Sequence, residues 1–162
     1  MIQVKKRLLH CIVVWSLFFV SCKSSVEPHP LPDAPVRLTL DLSGADFALR
    51  EPLATVEIHS PRMADEYVGL GGVVVVHGLQ ASTGSQYYAY DLACPVEVPG
   101  ISVVRHTTDP AYEGLVLYRC PSCGSVYELA LGIGNPITGA ARHPLKQYGT
   151  ALAGDMLRVF NR

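Results

Sequence analysis

CPSCGSVYEL, residues 120–129, places two cysteines on one tight turn and then enters a strand-like run. Apolar residues flank the turn at 115–119 and 126–129, a pattern that predicts two strands joined by a knuckle. Glycine at 124 allows a close backbone approach inside the turn. The spacing of Cys120 and Cys123 is typical of a metal-binding knuckle and also of a dithiol redox pair. Spacing alone therefore leaves both kinds of chemistry open.

Strand patterns continue on both sides of the knuckle. Residues 36–42 (VRLTLDL) alternate apolar and polar side chains, as a half-buried strand does. Residues 71–77 (GGVVVVH) are typical of a strand covered on both faces, and with residues 86–92 (QYYAYDL) they predict a β-hairpin. Further strands are predicted at 53–59 and 155–160. No stretch of a dozen residues has a helical period, so we predict an all-β antiparallel sandwich or small barrel.

The cysteines limit the chemistry of this domain. Of the five in the chain, Cys94, Cys120 and Cys123 fall inside the predicted domain. Because disulfides use cysteines in pairs, three cysteines in an oxidising compartment leave one thiol over unless a metal binds all three. A three-thiolate metal centre and a single disulfide with one buried thiol both satisfy this count.

Three segments, in order along the chain, resemble the Rieske iron–sulfur domain family. Residues 87–95 (YYAYDLACP) are similar to its strand and first cluster loop, and residues 120–129 to its second cluster loop and the strand after it. Residues 135–148 (NPITGAARHPLKQY) are similar to the loop that covers the cluster. The valine-rich strand ending at His77 also has a counterpart. The resemblance covers residues 36–162 and implies a Rieske-like antiparallel β-sandwich with a small cluster-binding subdomain and a [2Fe–2S] cluster.

The ligand set that the resemblance implies departs from the family pattern. Rieske centres bind one iron through two cysteines and the other through two histidines. Carried over residue by residue, Cys94 and Cys120 stand at the cysteine positions, whereas Val96 and Cys123 stand at the histidine positions. The implied metal ligands are therefore Cys94, Cys120 and Cys123.

One further ligand would complete such a centre. Three thiolates with one imidazole or carboxylate are acceptable coordination for iron. His106, in the long segment between the first two cysteines, and His143, in the covering loop, are the imidazole candidates, and Glu97 is a poorer one. The additional thiolate charge is expected to lower the reduction potential.

The function implied is one-electron transfer, as a carrier or accessory protein with a redox partner protein. No nucleophile–base motif for hydrolysis is present, so a stand-alone enzyme is not expected. Two alternatives remain open. One is a metal-free structural or binding module with a disulfide among the three cysteines, and the other is a zinc ion held by the three thiolates.

The N-terminus has the pattern of an export signal. Three basic residues at 5–7 precede an apolar stretch at 8–20, which as a helix covers about 20 Å and is too short to span a bilayer. FVSC, residues 19–22, resembles the lipobox of bacterial lipoproteins. We therefore predict a signal peptide at 1–21, lipidation of Cys22 and attachment to a membrane of the cell envelope.

A proline- and serine-rich tether is predicted to follow the anchor, so that 22–35 hold the lipidated cysteine and tether and 36–162 form the domain. The chain has 13 basic and 14 acidic residues, and without the three basic residues of the signal peptide 10 and 14 remain, a net charge of −4. Such a chain lacks the basic face that phosphate backbones require, so nucleic acid is not an expected partner.

Overall fold

The computed structural model describes residues 28–79, 87–97, 100–106 and 112–162. The predicted signal peptide (1–21) and Cys22 lie outside the described residues, and both stay predictions. Within the described ranges, no helix is long and apolar enough to cross a membrane.

The regular secondary structure of the described chain is almost entirely β-strand. They are β1 (Val36–Asp41), β2 (Thr55–Ile58), β3 (Tyr67–Val68), β4 (Val73–His77), β5 (Tyr87–Asp91), β6 (Val104–His106), β7 (Leu117–Arg119), β8 (Val126–Glu128), β9 (Pro136–Thr138), β10 (Gln147–Ala153) and β11 (Met156–Phe160). One short 3-10 helix, Phe47–Arg50, interrupts them. Seven strands form a larger sheet in the order β2-β4-β5-β10-β11-β1-β3, and β6-β7-β8-β9 form a smaller one. The named strands pair antiparallel throughout, which confirms the predicted all-β antiparallel fold.

The strongest strand predictions are confirmed by pairing and burial. β4 and β5 form the predicted hairpin, with Val75 opposite Ala89. The four valines of β4 are fully buried, because Val74 and Val76 face one core while Val73 and Val75 face the other. β7 and β8 pair on either side of the knuckle, as the apolar flanks predict.

Two hydrophobic cores organise the domain. The first core joins the larger sheet to the smaller one and contains Val74, Val76, Tyr90, Leu92, Cys94, Tyr118, Cys120, Tyr127 and Leu129. The second core lies among strands of the larger sheet and contains Val36, Leu38, Leu40, Val73, Val75, Ala89, Leu157 and Val159. Each large buried side chain contributes about 1.5–3 kcal/mol. Two of the three domain cysteines thus belong to the core that holds the sheets together.

The last part of the predicted tether (22–35) lies against the domain. Residues 28–35 contain no helix or strand, yet Leu31 is only 3% exposed. His29 Nδ1 accepts the Leu31 N–H at 3.1 Å, so Nε2 carries the proton and donates to the Pro144 carbonyl at 3.0 Å. Residues 28–35, called the strap below, therefore contact the loop at 135–148.

Candidate metal centre

The knuckle between β7 and β8 is held by backbone hydrogen bonds. The Gly124 N–H donates to the Cys120 carbonyl at 3.0 Å, and the Cys120 N–H donates to the Ser125 carbonyl at 2.9 Å. Gly124 has a φ of +72°, a left-handed conformation that favours glycine. The turn therefore presents Cys120 and Cys123 on one short loop, as the sequence predicts.

A second loop, after β5, carries Cys94, and a buried carboxylate fixes the backbone that leads into it. Asp91 is fully buried and accepts hydrogen bonds from the N–H groups of Leu70, Gly71 and Ala93 at 2.7–2.9 Å. The Tyr148 hydroxyl donates a fourth bond at 2.6 Å. Because the residue before Cys94 is among these donors, Asp91 sets the direction in which the chain enters the site.

One side-chain hydrogen bond joins the two cysteine loops. The Ser122 hydroxyl, in the knuckle, donates to the Glu97 carboxylate at 3.0 Å. The Glu97 N–H donates to the Cys94 carbonyl at 3.2 Å and closes a turn there. Glu97 therefore links the loops and positions Cys94 relative to the knuckle.

The three sulfur atoms lie close together, as predicted for a shared site of Cys94, Cys120 and Cys123. The Sγ atoms of Cys94, Cys120 and Cys123 all lie within 4.8 Å of one another. Cys94 Sγ and Cys123 Sγ are 3.7 Å apart. Cys94 and Cys120 are buried, whereas Cys123 is half-buried, and all three are free thiols. Three close cysteines of this kind could bind a metal ion.

The thiols differ in acidity because their surroundings differ. Burial raises the pKa of the Cys120 thiol to about 11, and the neighbouring thiols of Cys94 and Cys123 add to the increase, although N–H groups of the knuckle oppose it. Burial also acts to raise the pKa of Cys123. Hydrogen bonds that the Ser125 hydroxyl and N–H donate to the ionised sulfur, together with those from the Cys120 and Cys94 thiols, outweigh burial, so this pKa lies below its ordinary value. Of these two thiols, Cys123 therefore ionises more readily than Cys120.

Ser125 and Tyr127, which follow the knuckle, also belong to the site, although no sequence motif singles them out. The Ser125 hydroxyl lies 3.2 Å from Cys123 Sγ and accepts the Ala141 N–H at 3.0 Å. The Tyr127 hydroxyl lies 3.7 Å from Cys94 Sγ, and burial together with the hydrogen bond to this thiol raises the pKa of the phenol. Positions 125 and 127 are two residues apart in an extended chain, so their side chains lie on the same face. This spacing could have placed both residues beside the cysteines.

The loop at 135–148 packs closely against Ser125 beside the cysteines. Gly139 has a φ of +98°, and a side-chain carbon at this position would lie 2.4 Å from the Ser125 Cα. Glycine is therefore required twice at position 139, for its backbone conformation and for the close approach of the loop to the site.

The candidates for a fourth ligand lie apart from the sulfur cluster. The group of ligand atoms within 4.8 Å of one another contains three cysteines and neither His106 nor His143. His106 ends β6 and lines a cavity on the smaller sheet, and the His143 ring packs edge-on against the His29 ring at 6.3 Å. The carboxylate of Glu97 bonds Ser122. A fourth ligand from His106 or His143 stays a prediction.

Comparison of the chain with protein-family models, with curated proteins and with solved structures finds no match. The fold and the site by themselves define an all-β protein with a buried three-cysteine site between two loops.

The three sulfurs fit a single tetrahedral ion with one open position, because sulfurs bound at about 2.3 Å to such an ion lie about 3.8 Å apart.

Proposed function

We propose that the protein is an electron-transfer metalloprotein whose Cys94, Cys120 and Cys123 thiolates hold a [2Fe–2S] centre. The observation that carries this proposal is the convergence of three sulfurs, from loops about 26 residues apart in sequence, within 4.8 Å. The resemblance of three ordered segments to Rieske domains supports iron–sulfur as the form of the centre. Such a centre, when bound, supplies one-electron redox chemistry.

The site residues suit the binding of an anionic metal–thiolate group. Hydrogen bonds from the Ser122 and Cys123 N–H groups favour the ionised form of the Cys120 sulfur, and those from the Ser125 N–H and hydroxyl favour the ionised form of the Cys123 sulfur. Hydrogen bonds of this kind stabilise bound thiolates and raise the potential of a centre. Burial of Cys94 and Cys120 keeps water away from the sulfurs.

A cysteine at position 123, where the Rieske pattern has a histidine, should lower the reduction potential of the proposed centre. Histidine ligation places Rieske centres at about −150 to +300 mV, whereas all-cysteine plant-type clusters lie at about −400 mV. A centre with three thiolates is expected to lie below the Rieske range. With at most one histidine ligand instead of two, its potential should change less with pH near neutrality than that of a Rieske centre.

The proposed location is the cell envelope. The pattern at 1–22 supports export and lipidation of Cys22, which would attach the domain to a membrane and confine electron exchange to partner proteins at that surface. We expect the role of an electron carrier or accessory protein.

A single metal ion is the second candidate. The 3.7 Å between Cys94 Sγ and Cys123 Sγ is close to the edge of a tetrahedron of thiolates around one zinc ion. In that case the function would be structural or, with the open fourth position, that of a Lewis acid. The same short distance would let these two cysteines form a disulfide in a metal-free module.

The experiment that tests the proposal is isolation of the full chain without exposure to air, followed by analysis for iron, acid-labile sulfide and zinc. Coloured protein with equal amounts of iron and sulfide is expected. Colourless protein with one zinc per chain would establish the second candidate, and iron-free, zinc-free protein with one disulfide would contradict both. The variants Cys94→Ser, Cys120→Ser and Cys123→Ser should each bind less metal than the unaltered chain, whereas the control Ser60→Ala, an exposed serine outside both cysteine loops, should bind the same amount.

A further inference from the structure

A cavity of about 250 Å³ lies on the outer face of the smaller sheet, away from the first core. In the register of the strands, His106 lies opposite Leu117, and Arg119 lies opposite Val126. Residues opposite one another in a sheet point to the same face, so these four side chains share one surface. Tyr118, between Leu117 and Arg119, points the other way into the core.

The walls of the cavity are apolar on one side and polar on the other. Leu117 and Val126 are buried and form an aliphatic floor together with Ile137. Arg119 and His106 supply nitrogen donors. None of the described residues that line the cavity is acidic, and Arg119 forms no ion pair with a described residue. Glu128 lies opposite Leu117 on the same face, but its buried carboxylate accepts hydrogen bonds from the Ala130 and Leu131 N–H groups.

Charge and shape together restrict what the cavity can hold. A guanidinium group presents a planar fork of donors that matches a carboxylate in a bidentate geometry. Ligand pockets are typically about 300–1,000 Å³, so the cavity, at about 250 Å³, is smaller than most and accepts only a small molecule. The aliphatic floor favours an apolar body behind the charged group.

We propose that this cavity binds a small organic carboxylate, with the carboxylate on Arg119 and its apolar body against Leu117 and Val126. The cavity borders the cysteine knuckle, because Gly124 lines it and the Arg119 guanidinium lies 3.8 Å from the point where a Gly124 side chain would begin. The ligand therefore sits beside the loop that carries Cys120 and Cys123. The proposal does not depend on whether the cysteines hold a metal.

The test is a titration of the full chain, as isolated, with benzoate, followed by NMR at the amides of Gly124, Val126 and Thr138. Saturable shifts at these amides are expected. Benzyl alcohol, which lacks the charge, and inorganic phosphate, which lacks the apolar body, should each bind roughly tenfold more weakly or worse. Equal affinity for either probe, or shifts that do not saturate, would overturn the proposal.

Two variants and a matched control sharpen the test. Arg119→Gln should weaken benzoate binding by roughly tenfold or more, because a charge-assisted hydrogen bond is lost. Arg105→Gln is the control, since Arg105 lies on the neighbouring strand, stacks on Tyr118 and bonds Thr55. Thr138→Trp should fill the cavity and reduce affinity while Arg119 stays in place. Unchanged affinity in both Arg119→Gln and Thr138→Trp would contradict the assignment.

Discussion

Replacement of Asp91 by alanine should destabilise the domain strongly. The carboxylate is fully buried and accepts four hydrogen bonds, from the N–H groups of Leu70, Gly71 and Ala93 and from the Tyr148 hydroxyl. An unsatisfied buried donor costs about 1–3 kcal/mol, which gives a gross loss of about 4–12 kcal/mol for four donors. Removal of the cost of burying the charge, and entry of water into the space, reduce this loss, so we expect about 3–5 kcal/mol.

The assay is urea unfolding of the reduced, metal-free protein. Asp65→Ala is the matched control: the Asp65 side chain is 74% exposed and its contact with Arg37 is 3.8 Å, so its removal should change the free energy of unfolding by less than about 0.5 kcal/mol. If Asp91→Ala lost no more than about 1 kcal/mol, the four bonds would not hold the entry to the Cys94 loop, and the reasoning would be refuted.

Three further predictions concern the loop, the thiols and the strap. Gly139→Ala should destabilise the protein far more than Gly154→Ala, because both have positive φ but only the first would collide with a backbone; equal losses in urea unfolding would contradict this. The folded state raises the pKa of Cys120 from 9.0 to about 11, so it holds that proton more tightly than the unfolded chain does. The free energy of unfolding should therefore fall as pH rises from 9 to 11. A urea midpoint that stays constant across this window would contradict the prediction. Leu31→Ala should cost about 2 kcal/mol if the strap is part of the fold, and no measurable loss would show that it is not.

Residues 36–42 and the hairpin of β4 and β5 show what periodicity can predict. β1 alternates apolar and polar side chains because one of its faces is buried. β4 and β5 are almost continuously apolar because both of their faces are buried. β10 was not predicted as a strand, since Gly149, Ala151 and Ala153 leave no apolar alternation. Its pairing with β11 explains the glycine, because the Phe160 ring lies where a side chain at Gly149 would begin.

The site was predictable in its thiols and not in its surroundings. The cysteine count and the knuckle spacing identify Cys94, Cys120 and Cys123 as a set, and their convergence is confirmed. The hydrogen bonds of Ser125 and Tyr127 to these sulfurs depend on how β8 packs on the Cys94 loop. Periodicity specifies which face a residue takes but not which atom it meets there.

Neither the cavity on the smaller sheet nor the packing of residues 28–35 on the domain was predicted, because neither leaves a periodic pattern in the sequence. β6 and β9 are three residues long, too short for a periodic pattern to form. The prolines of 28–35 predict an extended chain, and an extended chain can still bury a leucine when a surface accommodates it.

The most direct test of the shared metal centre is cobalt(II) loading of the reduced chain and of the three single Cys→Ser variants, read by thiolate-to-cobalt charge-transfer absorption. If one ion contacts all three sulfurs, each of Cys94→Ser, Cys120→Ser and Cys123→Ser should remove about a third of the band. A Cys94→Ser variant with undiminished absorption would mean that the Cys94 sulfur does not join the knuckle, and the account of the site would be wrong.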